Sequence, residues 1–239
     1  VDATLKLNVL SKTGDFKGTL EGLQIEVSID KDAGTLTVSD NGIGMTEQET
    51  KQYLNQVAFS GAEEFLKKYE GQTKDSGIIG HFGLGFYSAF MVSQKVEVQS
   101  LSYKEDSQPV KWECDGNPEY KTSKGNRTEH GTDVIIHIDD ESKEFLEEDR
   151  IRGILDKYCK FLPVPIKFGM RSEWIDDPSG EKDENDQPKR IETKVENIIN
   201  NPKPAWTKKP KDLSEEDYNS FYKELYPTTF EDPLFHIHL

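Results

Sequence analysis

A chain of 239 residues, 33% hydrophobic and 31% charged, has room for one large domain or for one domain and part of another. Its 45 acidic side chains outnumber 30 basic ones for a formal net charge of −15, which argues against nucleic acid as a partner, because that binding rests on neutralising phosphates with Lys and Arg. No apolar run approaches the roughly 18 residues of a membrane span, and the opening "VDATLKLNVL" lacks the regions of a secretory signal, so no membrane partner and a cytoplasmic location are expected.

In chain order, "LQIEVSIDKDAGTLTVSD" alternates apolar and polar residues on both sides of Asp32-Ala33-Gly34, which predicts a β-hairpin with one buried face. Thr46 and Glu49 stand at capping-box spacing before Tyr53, Leu54 and Val57, which predicts a helix, and Ser60 and Glu63 repeat that spacing before a second short one. Residues 70–77, "EGQTKDSG", are polar and glycine-flanked and predict a mobile loop. "GIIGHFGLGFYSAFMV" follows, glycines set against the start of a predicted buried helix.

"KVEVQSL", "VKWEC", "EYKTS" and "GTDVIIHI" then read as four strands. "SKEFLEEDRIRGILDKYCKFL" predicts one long amphipathic helix, with Phe145, Leu146, Ile151, Ile154, Leu155 and Tyr158 on its apolar face. "PVPIKF" reads as a last strand. Cys114 and Cys159 lie far apart without metal-like spacing and are expected as free thiols in a reducing compartment. Residues 175–190 hold almost nothing apolar and read as a linker or a long hairpin loop. Beyond them, Ser214 and Asp217 open one clear helix carrying Tyr218, Phe221, Tyr222 and Leu225. Consecutive strands without regular βαβ alternation predict an α+β sandwich, helices on one face of a mostly antiparallel sheet.

Three segments carry candidate chemistry. Asp40 ends the second hairpin strand directly before "NGIGMT", where its carboxylate could accept from an exocyclic amine. Gly42 and Gly44 admit a ligand close to the main chain, and Met45 offers an adaptable apolar surface for a flat ring. Alone, the segment reads more readily as an ordinary turn into a helix cap. Gly80, Gly83 and Gly85 ahead of Phe86 free backbone N–H groups to face an anion, for which phosphate is the obvious guest. Their G-x-x-G-x-G spacing is neither the dinucleotide fingerprint nor a P-loop, and a turn that lets a helix pack closely is the alternative. Thr132, opening a strand in "GTDVIIHI", could bond the same base or a water held by Asp40.

Together "SDNGIGMT", "GIIGHFGLGFYSAFMV" and "GTDVIIHI" resemble the three nucleotide-binding motifs of the ATPases shared by gyrase, MutL, histidine kinases and the ninety-kilodalton heat-shock chaperones. "EFLEEDRIRGILDKYCKFLPVPI" and "PAWTKKPKDLSEEDYNSFYKELY" are similar to the heat-shock chaperones specifically, most of all the bacterial type, and the resemblance runs over essentially the whole chain.

The resemblance implies a two-layer α/β sandwich binding ATP or ADP with Mg²⁺. Asp40 would take the adenine amine, Gly44 and Thr132 a water network, Met45 the base, and Gly80, Gly83, Gly85 and the N–H of Phe86 the phosphates. Residues from Ser60 to about Gly85 would form a lid. Residues 1–174 would be the nucleotide domain without its first strand and most of its first helix, 175–192 a charged linker or loop, and 193–239 the start of a middle domain.

Val1–Ala3 matches only the end of the family's first-helix motif. The catalytic Glu and the Mg-holding Asn would therefore precede residue 1, and the γ-phosphate arginine would follow Leu239. Tyr53 and Phe59 stand where many relatives have Asn and Lys. The parent is accordingly expected to be an ATP-hydrolysing chaperone that closes as a homodimeric clamp on unfolded clients. The chain itself is expected to be a monomer with no catalytic or metal-binding residue. A DNA-processing ATPase of the gyrase or MutL kind is the alternative, which the acidity disfavours.

Overall fold

The computed structural model describes residues 1–20, 22–56, 61–69, 77–80, 82–179, 182 and 189–238, with the backbone alone for Glu63. The chain opens on helix α1 (Asp2–Thr13), closed by Gly14 in the left-handed region. Strands β1 (Ile25–Asp30) and β2 (Thr35–Asp40) form the expected hairpin, with Val27 opposite Val38. Helix α2 (Glu47–Asn55) starts at the expected box: Thr46 Oγ1 accepts from the Glu49 N–H while the Glu49 carboxylate accepts from the Thr46 N–H. Helix α3 (Ala62–Lys68) follows.

Strands β3 (Ser93–Leu101), β4 (Val110–Cys114), β5 (Tyr120–Lys124) and β6 (Gly131–Ile138) match the four expected strands. Helix α4 (Glu148–Tyr158), strands β7 (Ile166–Asp176) and β8 (Arg190–Ile198), and helix α5 (Glu215–Leu225) complete the order. The strands form one eight-stranded sheet in the order β5-β4-β3-β6-β2-β1-β7-β8. Among the described residues, every pairing is antiparallel except β1 with β7.

Residues directly opposite one another in a ladder share a face. One row runs Ile25, Asp40, Thr132, Ser100, Val110, and the next Val27, Val38, Val134, Val98, Trp112. Both rows point to the helical side. There Ile151 of α4 packs on Ile25, Val27, Ile166 and Phe168, while Leu54 of α2 packs on Val96, Val98 and Trp112. The opposite face carries Lys95, Glu97, Lys111 and Glu113, with a Lys111–Glu97 ion pair at 2.8 Å. The fold is thus the α+β sandwich read from the sequence.

Four sequence readings change. The segment after the glycines is a 3₁₀ helix, Gly85–Met91, without a fully buried residue. Three residues per turn place Phe86 and Ala89 together against β3 and β4 and turn Met91 outward, 81% exposed. The long helix over 142–162 is two pieces. Asp139 caps a 3₁₀ turn (Asp140–Leu146) by accepting from Ser142 N–H at 2.8 Å, and an extended Glu147 precedes α4. Tyr158 lies past the packed stripe and is 68% exposed.

Strand β7 is not the last. It runs on to Asp176, and β8 pairs with it from Ile198 opposite Lys167 to Arg190 opposite Asp176, so the described ends of the polar stretch are arms of a hairpin. Asn200, buried, fastens this edge by donating to the carbonyls of Leu162 and Val164 and accepting from Ile166 N–H at 2.7 Å. Helix α1 is an element the sequence reading did not include. The Ser60 cap, Phe59, the 70–76 part of the expected loop and lid, His81, and most of 180–188 lie outside the described residues.

Candidate nucleotide site

A cavity of about 620 Å³ opens between α1, α2, α3, the Gly80–Phe86 segment and the sheet. Asp40, Gly44, Met45 and Thr132 line its sheet side, and Gly80, Gly83, Gly85 and Phe86 another, so one cavity gathers these eight residues, while Gly42, also singled out from the sequence, does not line it.

The sheet side is rigid for reasons readable atom by atom. Asp40 Oδ1 accepts from the Gly42 N–H at 2.8 Å, which leaves the second carboxylate oxygen able to accept from a ligand. Burial raises the Asp40 pKa above the ordinary aspartate range, and the Gly42 bond works against that rise. Asn41 ties the same turn down, accepting from Gln24 N–H at 2.9 Å and donating to the Gly22 carbonyl at 3.0 Å. Arg127, ion-paired with Asp133, donates to the Asp40 carbonyl at 3.3 Å.

Two glycines here answer to packing. The α1 backbone at Ala3 rests where a Gly42 side chain would go, and the Ile43 N–H donates to the Ala3 carbonyl at 3.2 Å. Gly44 has φ +57°, and a Cβ there would overlap the Leu101 carbonyl oxygen.

Behind Gly44, fully buried Ser100 receives the Met45 N–H at 2.8 Å and stands 2.8 Å from Thr132 Oγ1 and 3.1 Å from the Gly131 carbonyl. Ser100 has one hydroxyl hydrogen, so only one of those two oxygens receives it, and the Thr132 hydroxyl orients in response. Thr132 and Ser100 are thus joined by a hydrogen bond, and Asp40 stands beside Thr132 in the same row of the floor. Met45 and Phe86 contribute apolar wall, Phe86 edge-on to Trp112 with ring centroids 5.6 Å apart.

The sequence reading missed several lining residues. Lys6 reaches the cavity from α1; its pKa is lowered by burial, partly opposed by Asp2, and its Nζ lies 5.5 Å from the Phe65 ring centroid. Ala3, Lys6 and Leu10 follow one another at helical spacing, a signal available only once α1 is seen as a helix. Glu49, placed as a cap, also pairs with Lys104 at 2.6 Å on the rim. Burial pushes its carboxyl up, but the Lys104 and Thr46 bonds outweigh that and leave it below the usual glutamate range. Ser100 gave no local signal, since its role exists only through strand register.

A half-buried carboxylate, a hydroxyl row and glycine backbone facing an apolar wall are a donor set suited to a nucleotide. Among the described residues, no group of His, Cys, Asp and Glu is arranged to hold a metal ion.

Two family models match the chain: "Histidine kinase-, DNA gyrase B-, and HSP90-like ATPase" over residues 17–141 and "Hsp90 protein" over residues 170–239. The class is therefore that of the HSP90-like ATPases, and the chain belongs to the HSP90 family. It is 54% identical to the chaperone protein HtpG of Bacteroides fragilis over 239 residues, all of this chain and 33% of that protein. It is 53% identical to HtpG of Porphyromonas gingivalis, again over all of the chain and 33% of the relative. HtpG of Sulfurimonas denitrificans is 39% identical over 99% of the chain and 37% of its own length. The chain spans about a third of the length of these relatives.

Proposed function

We propose that this chain is the nucleotide-binding part of an ATP-dependent chaperone of the HtpG type. Asp40 accepts the adenine amine, Thr132 and Gly44 order water beside it, and Met45 lies on the base. Gly80, Gly83, Gly85 and the N–H of Phe86 receive the phosphates, and Lys104 adds positive charge at the rim. Nucleotide occupancy then governs clamp closure on unfolded clients in a homodimeric parent. The observation that carries this reading is the convergence of three sequence-distant motifs on one cavity, whose floor holds the Asp40 carboxylate in register with Thr132 and Ser100.

Phosphoryl transfer to water needs an oriented nucleophile and neutralised charge. The resemblance puts the family's Glu, Asn and arginine outside residues 1–239, and on that reading the chain alone hydrolyses ATP negligibly and holds nucleotide weakly. Isothermal titration of Mg-ADP into this chain, its Asp40→Asn variant and a chain extended upstream through the first helix tests the site. Tight binding by the extended chain, lost with Asp40→Asn, is the expected result. Unchanged affinity in Asp40→Asn, or metal-dependent turnover by the short chain, would overturn the reading.

A further inference from the structure

Asp2, the first residue of α1, reaches across to the glycine segment. Its Oδ1 accepts from the Ile79 N–H at 3.0 Å and its Oδ2 from the Gly80 N–H at 2.6 Å. Two successive main-chain N–H groups gripping one carboxylate is the pattern by which backbone binds an anion, and the ionised acceptor makes both bonds strong. The fit is close: a Cβ on Gly80 would come within 2.7 Å of Asp2 Oδ2. Asp2 is held in place independently of that segment, because the next residue, Ala3, is bonded to Ile43 and its backbone lies against Gly42.

We infer that Asp2 is a built-in competitor for the phosphate groups of the nucleotide, holding the Ile79 and Gly80 N–H groups in a contact that must break before a phosphate can take them. The inference rests on the proposed nucleotide site and adds its regulation. Two like charges do not share one pair of donors, so phosphate entry requires Asp2 to withdraw. Apparent affinity then falls in proportion to the time Asp2 holds the segment; a contact present about nine-tenths of the time weakens binding about ten-fold. The penalty applies to ligands with phosphates. Adenosine, which makes no demand on Ile79 or Gly80, is exempt.

The test compares Mg-ADP with adenosine, by isothermal titration into the upstream-extended chain and its Asp2→Ala and Asp2→Asn variants. Asp2→Ala tightens Mg-ADP about ten-fold, Asp2→Asn tightens it less because one neutral acceptor remains, and adenosine binds all three alike, which also shows that the variants are folded. In the short chain, the Ile79 and Gly80 amides exchange with solvent faster in Asp2→Ala than in wild type. Unchanged or weaker Mg-ADP binding in Asp2→Ala, with adenosine unaffected, overturns the inference while leaving the site intact. Failure of adenosine and Mg-ADP alike to bind the extended wild-type chain overturns the nucleotide reading instead, and this inference with it.

Discussion

The two glycine segments of the cavity look alike in sequence and differ physically. In Asn41–Met45 the fold itself demands the glycines: α1 lies on Gly42, and the Leu101 carbonyl fills the place of a Gly44 side chain. In Gly80–Phe86 the demand is absent at the key position, since nothing lies within 4 Å of a Cβ on Gly85, and Gly80 would meet only Asp2. A glycine that packing requires says little about function. One that packing leaves free has to be explained by something outside the fold, so the second segment is the more informative of the two.

Substitutions sharpen that comparison, beginning with the largest expected effect. Gly44→Ala combines a positive φ with a backbone collision and should cost about 3 kcal/mol or more in urea unfolding, or prevent folding. Ser100→Ala removes the acceptor of the Met45 N–H and a partner of Thr132 in a fully buried place, for an expected loss of about 1–3 kcal/mol.

Asp40→Asn goes the other way. A carboxyl whose folded pKa is raised by burial destabilises the fold when ionised, so the neutral isostere should unfold at a higher temperature at pH 7. The penalty on the wild type is complete above the raised folded pKa and gone below the unfolded aspartate value. The two thermal midpoints should therefore converge on acidification through that window, and a difference that widens instead would contradict the assignment. Smallest is Gly85→Ala, expected to change stability by no more than about 0.5 kcal/mol while weakening Mg-ADP binding. A large stability loss there would break the contrast between the segments.

The same contrast explains what the sequence disclosed. The hairpin, α2 and α5 were legible because their causes are local: alternation across a turn, and the Thr46–Glu49 and Ser214–Asp217 capping boxes. The cavity residues were legible through motifs and resemblance. Ser100 and Lys6 were not, because one acts through strand register and the other through the docking of α1. The Gly85–Met91 segment misled because an apolar run fixes burial of some residues without fixing the helix type, and a 3₁₀ turn buries only Phe86, Ala89 and their neighbours in part.

The parallel seam of the sheet, β1 against β7, bears on the order of folding. The β1–β2 hairpin closes over a few residues, whereas Ile25 meets Ile166 only after most of the chain is in place. Closing so long a loop is entropically costly and slow, and the seam holds three register pairs, from Ile25↔Ile166 to Val27↔Phe168. The β7–β8 hairpin can form from its own local pairs and dock late, with Lys167 bridging Glu26 at 3.1 Å and Glu196 at 2.9 Å across the join. The β7–β8 arm beyond Phe168, exposed along most of its length, is thus the part of this edge most able to detach while its packed Ile166–Phe168 end and the Asp40–Thr132–Ser100 row stay folded.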